Sequence, residues 1–109
     1  MSVSVHVIDG VYGRAVIGMS VRLDRYIDGS WIEQLRDKTD DDGLSGGPSA
    51  SLERGVYRLE LDLDGYFSSL GITPFYPAIN IVFRIGDQNY SHRISLLITP
   101  SAYTTYQQN

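Results

Sequence analysis

The chain has 109 residues, a formal charge of −4 from 9 Lys plus Arg against 13 Asp plus Glu, and no cysteine. That length suits one domain, taken as residues 1–109, whose modest core removes about 65% of the unfolded chain's surface from water. Scattered basic residues in an acidic chain argue against a nucleic-acid partner, and the missing thiols exclude disulfides, thiolate metal sites and thiol nucleophiles.

The opening "MSVSVHVIDG" lacks a basic segment followed by an apolar one, and no stretch approaches the roughly 20 apolar residues that span a bilayer. A soluble cytoplasmic protein without membrane contact is the expectation. Within that opening, Val3 to Ile8 alternates as a strand, with Val3, Val5 and Val7 on one face and Ser4, His6 and Ile8 on the other. "DGVYG" then ends the strand as a turn.

Residues 19 to 39 form the clearest hairpin. Val21 and Leu23 alternate with Arg22, Asp24 and Tyr26, Asp28-Gly29 reverses the chain, and Trp31, Glu33 and Leu35 resume the alternation on the far side of the turn. "TDDDGLSGGPSAS", the next 13 residues, offers almost nothing to bury and reads as a loop with room for a short strand near Leu44. Asp40, Asp41 and Asp42 are a solvated turn rather than a calcium loop, because neither the closing Glu nor flanking helices are present.

From Val56 to Leu63 the alternation returns, with Tyr57, Leu59, Leu61 and Leu63 opposite Val56, Arg58, Glu60 and Asp62. Asp64 to Leu70 is the one candidate helix, bracketed by Gly65 and Gly71. Two further strands, Ile79 to Ile85 and Tyr90 to Ile98, flank a "GDQN" turn, and two tyrosines in the last nine residues suggest that the tail packs on something. Short strands at this spacing predict an all-β sandwich of two roughly four-stranded sheets with one short helix.

His6 and His92 are the two histidines. They can be a pair sharing acid and base work, or ordinary strand residues on a hydrated face. No third ligand stands at metal spacing, so no metal or cofactor is expected. The glycines at 43, 46 and 47 are not followed by Lys-Ser/Thr, and the serines at 45, 49 and 51 lack a nucleophile elbow.

"HVIDGVYGRAVIG", "GVYRLELDLDGYFSSLGITPFYP" and "HRISLLITPSAYTTY" together resemble, in order and over nearly the whole chain, the transthyretin and 5-hydroxyisourate hydrolase family. The resemblance implies a transthyretin-like sandwich and a homotetramer, a dimer of dimers, whose facing sheets line a channel for a small-molecule substrate or ligand. It also implies catalysis by an amino-terminal histidine, a loop arginine, a second histidine and a closing Tyr-Arg-Gly-Ser.

Only the first of those falls on its counterpart, His6. Leu44 stands at the loop arginine, Arg93 at the second histidine with His92 beside it, and "YQQN" from Tyr106 at the closing tetrapeptide. The candidate catalytic residues are therefore His6, Arg93 and His92, with Leu44, Tyr103, Tyr106, Gln107 and Gln108 lining the site. The expected function is a divergent small-molecule enzyme on this scaffold, using His6 for proton transfer on a compact cyclic carbonyl compound by hydrolysis, ring opening, cyclisation or isomerisation. The alternatives are retained 5-hydroxyisourate hydrolysis in purine degradation and a ligand-binding tetramer without chemistry.

Overall fold

The computed structural model describes residues 2–86 and 91–108. Nine strands and one helix follow in order: β1 (Ser2–Asp9), β2 (Arg14–Ala15), β3 (Ser20–Ile27), β4 (Ser30–Lys38), β5 (Leu44–Ser51), β6 (Gly55–Asp62), α1 (Leu63–Ser68), β7 (Ala78–Ile85), β8 (His92–Ile98) and β9 (Tyr103–Gln108). One sheet runs β2-β1-β8-β9, with β5 also paired to β1, and the other runs β4-β3-β6-β7. Asp87 to Tyr90, which cover most of the anticipated "GDQN" turn and the start of the following strand, lie outside the described residues, as does Asn109.

The alternation of side chains explains the sandwich. Val3, Val5 and Val7 of β1 and Ile94, Leu96 and Ile98 of β8 point inward and are buried against Val21, Leu23, Tyr57, Leu59, Leu61 and Ile79 of the facing sheet. β1 and β8 pair in parallel from Val3↔His92 to Asp9↔Ile98 without a shift, so both strands keep one phase throughout. The helix begins one residue before the sequence suggests, because Asp62 caps it by accepting from the Gly65 amide at 3.0 Å.

Two expectations need correction. The stretch after Thr39 is not mainly a loop: Leu44–Ser51 is a strand antiparallel to β1, pairing His6 with Leu44 and Ser4 with Gly46. An edge strand can be held by backbone hydrogen bonds along one side, so its poverty in apolar residues does not prevent it. In β4, Leu23 pairs with Leu35 but Asp24 pairs with Glu33, leaving Gln34 as an extra residue. That bulge turns Leu35 against the core while Trp31 and Glu33 share the outer face with Tyr26 and Asp24, so the three do not share a face.

The hairpin at Asp28-Gly29 forms as expected, with positive φ at both residues, 50° and 83°. The tail also packs: β9 pairs antiparallel with β8 from Ile98↔Tyr103 to Arg93↔Gln108.

Candidate functional site

With Val3, Val5 and Val7 committed to the core, Ser4, His6 and Ile8 must emerge on the opposite face of the first sheet. Register then decides which neighbours join them. His6 lies between Leu44 of β5 and Ser95 of β8, and Ser4 lies between Gly46 and Arg93. Gln108 and Tyr106 complete those two rows, opposite Arg93 and Ser95 respectively.

His6, Leu44, Arg93, Tyr106 and Gln108 therefore share one outward face. Arg93 is the diagonal neighbour of His6: strands about 4.8 Å apart and a two-residue step of about 6.6 Å put the two backbones about 8 Å apart. Two long polar side chains from such positions can reach one small molecule. The imidazole is half-buried and Arg93 is exposed.

The other candidates stand elsewhere. His92 pairs with Val3, so it lies on the core side of the sheet, where its Nδ1 meets Gln107 Nε2 at 2.7 Å. Both line a cavity of about 310 Å³ between the sheets, beside Phe83 and Ile94. His92 and Gln107 are thus separated from His6 by the sheet itself. Tyr103 pairs with Ile98 at the far end of β9, and its ring packs edge-on against Tyr76 at 5.5 Å.

Ser95 and Lys38 escape a reading based on motifs. Ser95 is buried between His6 and Tyr106 and donates its hydroxyl to Gln108 Oε1 at 3.0 Å, which orients that amide. Its position two residues after Arg93 was the available signal, since side chains at that spacing share a face. Lys38, from the end of β4, lines a cavity of about 370 Å³ with Arg93, Leu44 and Ser4.

Local chemistry places Leu44. Asp40 turns its carboxylate inward, accepting from the amides of Asp42 at 2.9 Å and Leu44 at 3.0 Å. Gly43, at φ 75°, presents its carbonyl to the Val7 amide at 2.9 Å. Asp37 ties β4 to β5 by accepting from the Ser45 hydroxyl at 2.9 Å and the Gly46 amide at 3.2 Å. Burial opposes its ionisation, but donation from Lys38, Ser45 and Gly46 outweighs that and holds the carboxyl below its ordinary range. Among the described residues, no three His, Asp or Glu side chains gather as a metal-binding group.

Asp9, at the end of the "HVID" strand, is wholly buried and turned away from this face. It accepts from the Val11 and Tyr12 amides at 2.8 and 3.2 Å and from the Tyr66 hydroxyl at 2.5 Å. Its three donors make it an anchor for the turn and for α1.

The class that emerges is a two-sheet sandwich presenting an imidazole and a guanidinium, without a metal cluster among the described residues, on the outward face of one sheet. Residues 3–108 match the HIUase/Transthyretin family, and the chain belongs to it. It is 31% identical over 106 residues to the 5-hydroxyisourate hydrolase of Mus musculus, covering 94% of this chain and 90% of that protein. It is 30% identical to the 5-hydroxyisourate hydrolase of Salmonella dublin, covering 95% of this chain and 78% of that one. Sea bream transthyretin, solved in complex with thyroxine, superposes with a TM-score of 0.90 at 26% identity, covering 97% of this chain and 93% of that one. No helix among the described residues is long and apolar enough to cross a membrane.

Proposed function

We propose that this chain is a cytoplasmic small-molecule enzyme, one domain over residues 1–109, working at the outward face of β5-β1-β8-β9 on a compact cyclic carbonyl compound. The observation that carries this reading is the register that sets His6 and Arg93 as diagonal neighbours on one face. His6 takes a proton from water as the water oxygen bonds to a ring carbonyl carbon, and the C=O electron pair moves onto oxygen beside the Arg93 guanidinium. When that pair returns, the ring C–N bond breaks and the leaving nitrogen receives the proton from the imidazolium. Arg93 thereby takes the electrophilic role that Leu44 cannot fill, since an alkyl group gives an oxyanion no hydrogen bond.

The working form is a homotetramer, with the outward faces of paired dimers enclosing the substrate. Supporting this, Leu97 and Tyr106 stand 46% and 56% exposed on that face of a single subunit, an apolar patch that a second copy would cover. The names of the mouse and Salmonella relatives favour a second reading, retained hydrolysis of 5-hydroxyisourate with the electrophile moved from loop to strand.

Freshly generated 5-hydroxyisourate and a panel of cyclic amides test both. Accelerated ring opening that His6→Ala abolishes, with sedimentation of the variant unchanged, is the expected result. Turnover surviving His6→Ala removes the proposed base, and decay of 5-hydroxyisourate at the buffer rate removes the second reading.

A further inference from the structure

Two cations meet at the cavity of about 370 Å³ that adjoins His6 through Leu44: Arg93 from β8 and Lys38 from β4. Two carboxylates, Asp37 and Asp40, line it as well. Their states of engagement differ. Asp37 is occupied by the Ser45 hydroxyl and the Gly46 amide, and Asp40 by the Asp42 and Leu44 amides. Neither Lys38 nor Arg93 makes an ion pair or a side-chain hydrogen bond within the described residues, although carboxylates stand in the same cavity. The acids serve to shape the β4–β5 junction, and the cations are left with all their donors.

We propose that this cavity is an anion subsite and that the ring compound acted on at His6 carries a carboxylate held between Lys38 and Arg93. The proposal rests on the reading above for the position of the reacting ring. Arg93 has five N–H donors on a planar fork, so one edge can face the carboxylate while another faces the ring carbonyl, and Lys38 adds a compact point charge. The cations face the ligand with their donors open while the charges of Asp37 and Asp40 remain in the same cavity. A second negative charge on the ligand would be repelled, so a dianionic phosphate is disfavoured. Ser4 and Gly46, the small residues beside Arg93 in its row, leave space for the group to enter.

The test uses the full-length protein, with backbone amide NMR shifts followed on titration with benzoate, its neutral counterpart benzamide, and phenyl phosphate. Benzoate is expected to shift the amides of Lys38, Gly46 and Arg93, to bind about fivefold more weakly in Lys38→Gln or in Arg93→Gln, and to weaken with added salt. Arg93→Lys, which keeps the charge without the fork, is expected to fall between wild type and Arg93→Gln. Equal binding of benzamide, benzoate affinity unchanged in Lys38→Gln, or tighter binding of phenyl phosphate each overturns the proposal. Activity and binding separate the two readings: selective benzoate binding with ring-opening activity absent in wild type sinks the enzymatic reading alone. Activity dependent on His6 with no benzoate selectivity sinks the anion subsite alone.

Discussion

Arg93 and His92 are adjacent in sequence, yet the sheet divides them: Arg93 pairs with Ser4 on the face of His6, while His92 pairs with Val3 on the side of the core. The shift-free β1–β8 ladder makes that division strict, because a strand can exchange the two faces only through a bulge.

Opposite outcomes for neighbouring substitutions follow. Arg93→Gln is expected to lower kcat for ring opening by about 100-fold, the scale of losing one oxyanion donor. His92→Gln is expected to leave kcat unchanged, since its ring meets Gln107 and lines the space between the sheets, across the sheet from His6. Steady-state rates for the two variants check this, and a large kcat loss in His92→Gln would contradict the assignment of faces.

Gly43 sits where β1, β2 and β5 converge, and a Cβ there would lie 2.5 Å from the Val7 carbonyl oxygen and 3.2 Å from Ala15 Cβ, at a φ of 75°. Gly43→Ala combines backbone strain with a clash against backbone, and is expected to cost about 2 kcal/mol or more. Urea unfolding measures it. Because Leu44 follows directly, loss of the β1–β5 pairing in amide exchange should accompany the loss of stability.

On the outer face of the second sheet, Asp24 is buried between Arg22 and Arg58, with contacts at 3.1 and 2.8 Å, and Arg58 covers the Trp31 ring at 4.6 Å. Asp24→Ala leaves two guanidinium groups facing each other. The expected cost is about 2 kcal/mol, below that of breaking a fully buried pair because both arginines still reach water. Lower stability with turnover at His6 intact is the outcome to look for, since the two sites lie on different sheets.

Tyr66 supplies a pH signature. Burial first, then its hydrogen bond to the Asp9 carboxylate, pushes its hydroxyl up from 10.0 to about 12. At a pH between those values the unfolded chain has released the proton and the folded one has kept it. Stability therefore falls as pH rises from 10 to about 12. Melting temperatures over that range should decline in wild type and lose this component in Tyr66→Phe, whose phenyl ring cannot titrate.

Much of this architecture is written locally. Alternation at Val3–Val7 and Tyr57–Leu63 shows which side chains go inward, and Asp28-Gly29 marks its own turn, because period and φ preference are properties of a few neighbouring residues. The full extent of the strand from Leu44, anticipated only as a short one within a loop, was hidden for the complementary reason: its partners are the backbone groups of β1, and backbone pairing leaves no mark in composition. The bulge at Gln34 was hidden too, since only the opposite strand makes one residue surplus.

His6 was legible as a residue on the polar face of its strand, and as the one clean counterpart to the family's catalytic set. Its company was decided by tertiary pairing. Register between strands far apart in the chain set Leu44 beside it, brought Arg93 to the diagonal and Gln108 onto the same face, sent His92 and Gln107 to the core side, and added Ser95 and Lys38. Sequence by itself determined which side of β1 and of β6 meets water, through the chemistry of single side chains. Which strands lie together, and in what phase, was decided only when the two sheets closed over a shared core, because that burial is a property of the whole chain.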